Sequence, residues 1–413
     1  MVEFNGFKAS SAIGVLIRSP SLQVAVMFGV AGLGFSVANI ILARSLTTRD
    51  YALVALAVSL INLSYPLAPL GMESVVVRRV LGATRQLFAY GLLTAIATGV
   101  VTAVLGALIY GIETRILVLI FVSIVGGGTA YLASARFQSL ERFPTSVILS
   151  QGSNYFLLVA ALVTIAFDWR GVVVPLLIVA LGHIVAAFLG WGMLFGPDRS
   201  NEPIKKKYFL EALVLAGSSG AVLLLLQLER LMIPKVLGLE QLATYGVLAA
   251  IVIAPFRILQ MGASRTLLPR LRNEPTVAGR RRLLVLEGVV VGSAVVVLVA
   301  GVWYGTPLLV KWFLQGKYYL PVTLILAALI VSLLKVISGF TNAAVIALAS
   351  TRELAVWNAL GWLFVGFAIV GGVLGAHWDL SGLLYGVSIG WLGSILAAIV
   401  MLRPHLSATA HSE

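Results

Sequence analysis

The sequence predicts an all-α polytopic membrane protein, and three observations predict it. Of its 413 residues 60% are hydrophobic and 11% charged, whereas a soluble chain is about 45–50% apolar and about 25% charged. Mean hydropathy is +1.03. Apolar runs of about 20 residues, the length that crosses a bilayer, recur from end to end. The same composition excludes disorder and collagen, and no heptad recurs to make a coiled coil. The 41 Gly and 14 Pro suit membrane helices that pack closely and kink.

Twelve spans follow in order. The first, 22–43, comes after Lys8 and Arg18 and is long enough to cross rather than to be cleaved as a leader. The second, 51–74, enters after Thr47-Thr48-Arg49-Asp50 and contains Pro66 and Pro69. Spans 87–110 and 116–135 follow, the latter interrupted by Gly126-Gly127-Gly128, which reads as a point of local flexibility. Spans 145–167 and 172–195 are separated by Asp168-Trp169-Arg170-Gly171 and end at Gly196-Pro197-Asp198. Spans 210–236 and 242–264 precede the turn Asn273-Glu274-Pro275. Spans 283–304, 321–349, 355–376 and 381–402 complete the set, with Gly382, Gly386 and Gly390 as a close-packing ladder on the last.

The net charge of +13 reads as membrane topology rather than nucleic-acid binding. With the N-terminus inside, 19 of the 29 Lys and Arg fall on cytoplasmic segments and 8 on outer ones, which predicts both termini in the cytoplasm. Arg280-Arg281-Arg282 and Lys205-Lys206-Lys207 belong to that excess and would meet anionic lipid heads. Helices two and eight share a Tyr at entry, internal proline and a Gly followed eight residues later by Arg. That pattern predicts a duplication, with lobes 1–204 and 205–413 of six helices each, related by an axis along the membrane normal. Two such lobes facing each other form an alternating-access transporter.

Enzyme chemistry finds no footing. Cys is absent, and the 4 His show no metal spacing. Gly29–Gly34 is glycine-rich but lies within a spanning helix, and no phosphate-binding loop for ATP occurs. The expectation is a non-enzymatic protein without cofactor.

An ionisable side chain mid-membrane costs about 2.5–3.5 kcal/mol on insertion scales, so those that persist are candidate functional groups. Lys335 lies midway along the tenth span, as a cavity cation for a phosphate or sugar acid or as the structural partner of a carboxylate such as Glu229. Arg257 follows Pro255 by two residues, where a freed carbonyl opens the helix and a planar guanidinium suits phosphate oxygens; the alternative is snorkelling to headgroups. Glu229 and Arg230 are adjacent and point roughly 100° apart on a helix, so each needs its own partner. The reading favours an interlobe salt bridge that latches one face, or a static pair, over direct substrate contact, with Arg230 kept as a third candidate cation. Arg44, Glu73 and Arg78 sit at helix ends as gate charges or interfacial anchors, and Glu73 becomes a proton-coupling carboxylate if burial raises its pKa. Asn39, Asn62, Asn154, Gln227, Gln260 and Asn342 bond sugars or neighbouring helices.

The run Leu42-Ala43-Arg44-Ser45-Leu46-Thr47-Thr48-Arg49-Asp50-Tyr51, continuing to Leu70-Gly71-Met72-Glu73-Ser74 and Arg78, resembles the first two helices of polysaccharide flippases. These belong to the multidrug/oligosaccharidyl-lipid/polysaccharide exporter superfamily. Leu228-Glu229-Arg230 with Tyr245 and Leu268-Pro269-Arg270, then Gly316-Lys317-Tyr318-Tyr319-Leu320-Pro321, then Asp379-Leu380-Ser381-Gly382, are similar to the same family in the same order. Two departures are Glu229, where Asp is commoner, and twelve helices rather than the fourteen of the peptidoglycan-precursor branch. The resemblance implies a V-shaped flippase in the bacterial cytoplasmic membrane. It would carry an undecaprenyl-pyrophosphate-linked oligosaccharide outward by alternating access, among membrane lipids and alongside polysaccharide polymerase machinery. The rival readings are an ion-coupled multidrug antiporter of the same superfamily and, from another class, a polytopic polymerase or ligase. The first lacks a mid-helix carboxylate in the N-terminal lobe; the second lacks a sizeable outer loop. Lys335→Ala and Arg257→Ala are expected to reduce glycan export without changing protein level.

Overall fold

The computed structural model describes residues 20–195 and 204–407. The termini predicted to be cytoplasmic, with Lys8 and Arg18, and the 196–203 segment with Arg199 lie outside the described residues. The described chain forms helices α1 (Pro20–Ser45), α2 (Thr48–Leu67), α3 (Met72–Arg79), α4 (Arg85–Tyr110), α5 (Thr114–Ser139), α6 (Phe143–Ser150), α7 (Gly152–Ala166) and α8 (Val173–Phe195). It continues as α9 (Lys206–Val236), α10 (Leu239–Leu248), a π-helical turn (Ala249–Ile253), α11 (Ala254–Asn273), α12 (Val277–Phe313), α13 (Val322–Leu348), α14 (Thr351–Gly375) and α15 (Leu380–Leu406). Eleven helices among the described residues are long and apolar enough to cross a membrane; α6 and α7, bent by 59°, make a twelfth as one broken span.

Three elements depart from the expected boundaries. The second span stops at Leu67, not 74. Leu70 (φ 48°) and Gly71 (φ 81°) turn the chain left-handed, and the short α3 carries Glu73 and Arg78 away from the span. The fifth span breaks at Gln151. The ninth extends well beyond 283–304, because the basic Arg280–Arg282 turn and the stretch through Phe313 stay helical outside the apolar core. At about 1.5 Å per residue a helix of that length outreaches the hydrocarbon layer.

We call the end bearing Arg78, Arg79, Lys205–Lys207 and Arg280–Arg282 the basic end. The far end carries Arg44, Lys317 and the Asp379 cap. Helices α1 to α8 pack among themselves, as do α9 to α15; the two groups meet where α1 touches α10, the π-helical turn and α11, where α2 touches α9 and α10, and where α3 touches α9. Helix α2 is buried nearly all round and sits at that junction. In lipid no water drives helices together, so close backbone approach and interhelical hydrogen bonds have to. The expected ladder does this. A side chain at Gly382 or Gly386 would collide with the carbonyl of Gly375 or Gly371 on α14, and one at Gly390 would lie 2.6 Å from the Phe364 carbonyl.

Gly386→Leu should therefore lower the detergent melting temperature by the equivalent of about 1–3 kcal/mol. Gly366→Leu, at a position open to 4 Å, should not, and a thermal-shift series comparing the two checks it. The Gly126-Gly127-Gly128 triplet does not interrupt its helix. Helix α5 runs unbroken through it, and the missing side chains admit α8 and α2: a Cβ at Gly126 would lie 2.9 Å from the His183 carbonyl carbon.

Candidate functional site

A chamber lies between the two helix groups. Helix α1 supplies Phe28, Gly32 and Phe35, the start of α7 supplies Gln151 and Asn154, and α9 supplies Gln227 and Arg230. Tyr245 stands on α10, Arg257 and Gln260 on α11, and Ser332 and Lys335 on α13. The π-helical turn explains how the eighth span delivers Arg257. Pro255 has no N–H to offer the ladder, and an inserted residue one turn earlier re-registers the helix so that Arg257 faces the chamber. Its side chain lines the chamber.

Glu229 and Arg230 diverge as the helical rotation requires. The Glu229 carboxylate, wholly buried, turns to α13 and forms an ion pair with Lys335, Nζ to Oε1 2.6 Å. Lys335 also lies 5.6 Å from the Trp391 ring centre. Arg230 turns to α1, with its guanidinium 5.1 Å from the Phe35 ring centre, and reaches the Tyr245 hydroxyl. Of the latch and the static pair expected of Glu229, the pair inside one helix group is what this structure contains. Of the two readings of Lys335, the carboxylate-paired one is what forms. Among the described residues no carboxylate lies within ion-pair distance of Arg230 or Arg257. The two guanidiniums are near enough to repel.

The cross-group salt bridge sits elsewhere. Arg78 and Arg79 on α3 reach Glu211 on α9 at 3.8 and 3.3 Å, at the basic end and exposed. Pairs of that kind are worth about 0–1 kcal/mol. Sequence reasoning named Arg78 but not Glu211. Glu73, beside them, takes a 3.1 Å hydrogen bond from Ser74. Burial raises its carboxyl above the usual range. Arg44 is exposed at the end of α1 and lines no part of the chamber.

The far end is closed by two buried tyrosines, Tyr51 and Tyr318, and by one exposed lysine. Lys317, in the loop before α13, donates to the Ala43 and Leu46 carbonyls at the end of α1, the former at 2.8 Å. A cation there satisfies orphan carbonyls and the helix dipole together. Tyr318 packs edge-on against Tyr51 (6.4 Å), and the Tyr51 hydroxyl donates to Asn39 at 3.2 Å. Gly246 on α10 leaves room for that hydroxyl: a Cβ would come within 2.6 Å of it. The Gly316-Lys317-Tyr318 run was visible in the sequence, but its partner lay about 270 residues away in sequence.

Lys317→Met should loosen this closure. With no native Cys to interfere, Asn39→Cys (4% exposed in the parent residue) reports it. Maleimide labelling of Asn39→Cys should run roughly three- to tenfold faster once the charged hydrogen bonds are gone. An unchanged rate would mean the cap does not hold the far end shut.

Among the described residues no three His, Asp or Glu gather as a metal site. The family model described as "Polysaccharide biosynthesis protein" matches residues 19–273. No curated protein matches the sequence. Among solved structures, the inward-closed conformation of the lipid II flippase MurJ is 10% identical with a TM-score of 0.67, over 92% of this chain and 87% of that one. An inward-facing multidrug resistance MATE family transporter of the MOP superfamily is 16% identical with a TM-score of 0.66, over 95% and 99%. An outward-facing MATE transporter gives 16% and 0.60, over 96% and 98%. The all-helical architecture is that of these V-shaped transporters. The chain belongs to the polysaccharide biosynthesis protein family.

Proposed function

We propose that this protein is a flippase for lipid-linked oligosaccharide whose diphosphate is held by Arg230 and Arg257. The observation that carries the reading is the charge of the chamber. Glu229 neutralises Lys335, and two guanidiniums are left facing one space without a carboxylate between them. A diphosphate relieves their repulsion and fits the planar forks in bidentate fashion. An organic cation would meet the same charges and be repelled, which disfavours a multidrug role. The lobes 1–204 and 205–413 rock about the chamber by alternating access, and the cap at the end of α1 holds one of the two closed states. The polyprenyl tail stays in lipid. Both termini face the cytoplasm of a bacterial inner membrane, and the exported glycan passes to polymerase machinery outside.

The test is reconstitution of the full chain in proteoliposomes. An undecaprenyl-pyrophosphate-linked oligosaccharide placed in one leaflet should cross faster than in protein-free vesicles, and a proton or sodium gradient shows whether transport is coupled. No acceleration with any such lipid, together with uptake of organic cations, would overturn the reading.

A further inference from the structure

Beside the chamber, towards the basic end, lies a second cavity walled by α9, α11, α13, α14 and α15. Gln260 lines both spaces, so they adjoin. Their chemistry differs. No charged residue lines the second cavity; it presents the indoles of Trp357 and Trp391, the amides of Asn342 and Asn358, and the hydroxyls of Ser338 and Ser394.

Several of these groups are not satisfied by the protein. Trp391 is 3% exposed, yet its indole N–H has no hydrogen-bond partner. Asn358 makes no hydrogen bond to a described residue, and Asn342 takes one, from the Trp357 indole at 2.9 Å. An orphaned buried donor costs about 1–3 kcal/mol, and a phenylalanine would fill a plain core without that cost.

We propose that this cavity is a sugar subsite, which takes the hexose or hexosamine next to the diphosphate. This rests on the diphosphate reading of the chamber. A hexose has an apolar C–H face that packs on an indole, and hydroxyls around its rim that meet amides and serines. A prenyl chain has no use for the amides, and a phosphate would find no cation. A glycosyl diphosphate is the single ligand whose two parts match the two adjoining spaces.

The experiment measures affinity in lipid nanodiscs with the full chain. The probes are undecaprenyl pyrophosphate without sugar and diphosphoryl-undecaprenol bearing one glucose, galactose or N-acetylglucosamine. At least one glycosylated lipid should bind roughly five- to tenfold tighter than the sugar-free one, the worth of a hydrogen bond or two. Trp391→Phe and Asn358→Leu should each erase most of that increment and leave the sugar-free affinity alone. Asn358→Leu should not lower the melting temperature, since the amide makes no hydrogen bond to a described residue; a structural role would lower it. Equal binding of all four lipids by the wild type, or an increment that survives both variants, overturns the subsite. If the wild type binds none of the four, the diphosphate reading fails first and the subsite falls with it.

Discussion

Arg257→Gln should cut translocation of lipid-linked oligosaccharide by about one to two orders of magnitude and leave the amount of folded protein unchanged. The size follows from losing one charge-assisted hydrogen bond, worth about 1.5–3 kcal/mol. The unchanged fold follows from the surroundings. Arg257 lines the chamber, has no carboxylate partner among the described residues and repels Arg230, so neutralising it strands no carboxylate. Arg257→Lys should fall between, because it keeps the charge and loses the fork. Arg230→Gln should also depress transport and should cost some stability, since the guanidinium leaves the Phe35 ring. The two losses should not add, because both residues would hold one diphosphate. Transport rates in proteoliposomes beside melting curves for the four proteins check this. Wild-type transport by Arg257→Gln would remove the residue from substrate binding.

The bundle was legible because each span is a long apolar run bounded by turn chemistry, and such runs have one stable fate in lipid. Its breaks were not. A left-handed Leu70-Gly71 turn, the bend at Gln151 and the π-helical turn before Pro255 are set by contacts from other helices and leave no periodicity behind. The site was half legible. Rarity in an apolar context singled out Lys335, Arg257, Glu229 and Arg230, and all four do come together. Which of them neutralise one another depends on helix rotation and crossing, which spacing along one helix does not encode. Uncharged groups fared worse. Trp357, Trp391 and Asn358 are ordinary membrane-helix residues until α14 and α15 bring them to one cavity.

The pairing of Lys335 reverses half of what its sequence position alone predicts. Lys335→Met should reduce the level of folded protein, because Glu229, with no exposed surface, keeps its charge without a partner. Breaking a buried pair from one side costs about 3–5 kcal/mol, enough to unfold a marginal protein. Glu229→Gln should cost less. The ammonium it strands borders the chamber and the Trp391 ring, where water and the indole face receive it. The double variant Glu229→Gln/Lys335→Met should recover most of the lost stability, since two neutral groups of similar volume replace the pair. Transport separates structure from chemistry in that double variant. With Arg230 and Arg257 in place it should retain much of the wild-type rate. If it folds fully and transports as poorly as Arg257→Gln, Lys335 meets the substrate directly, and Glu229 is the group that releases it.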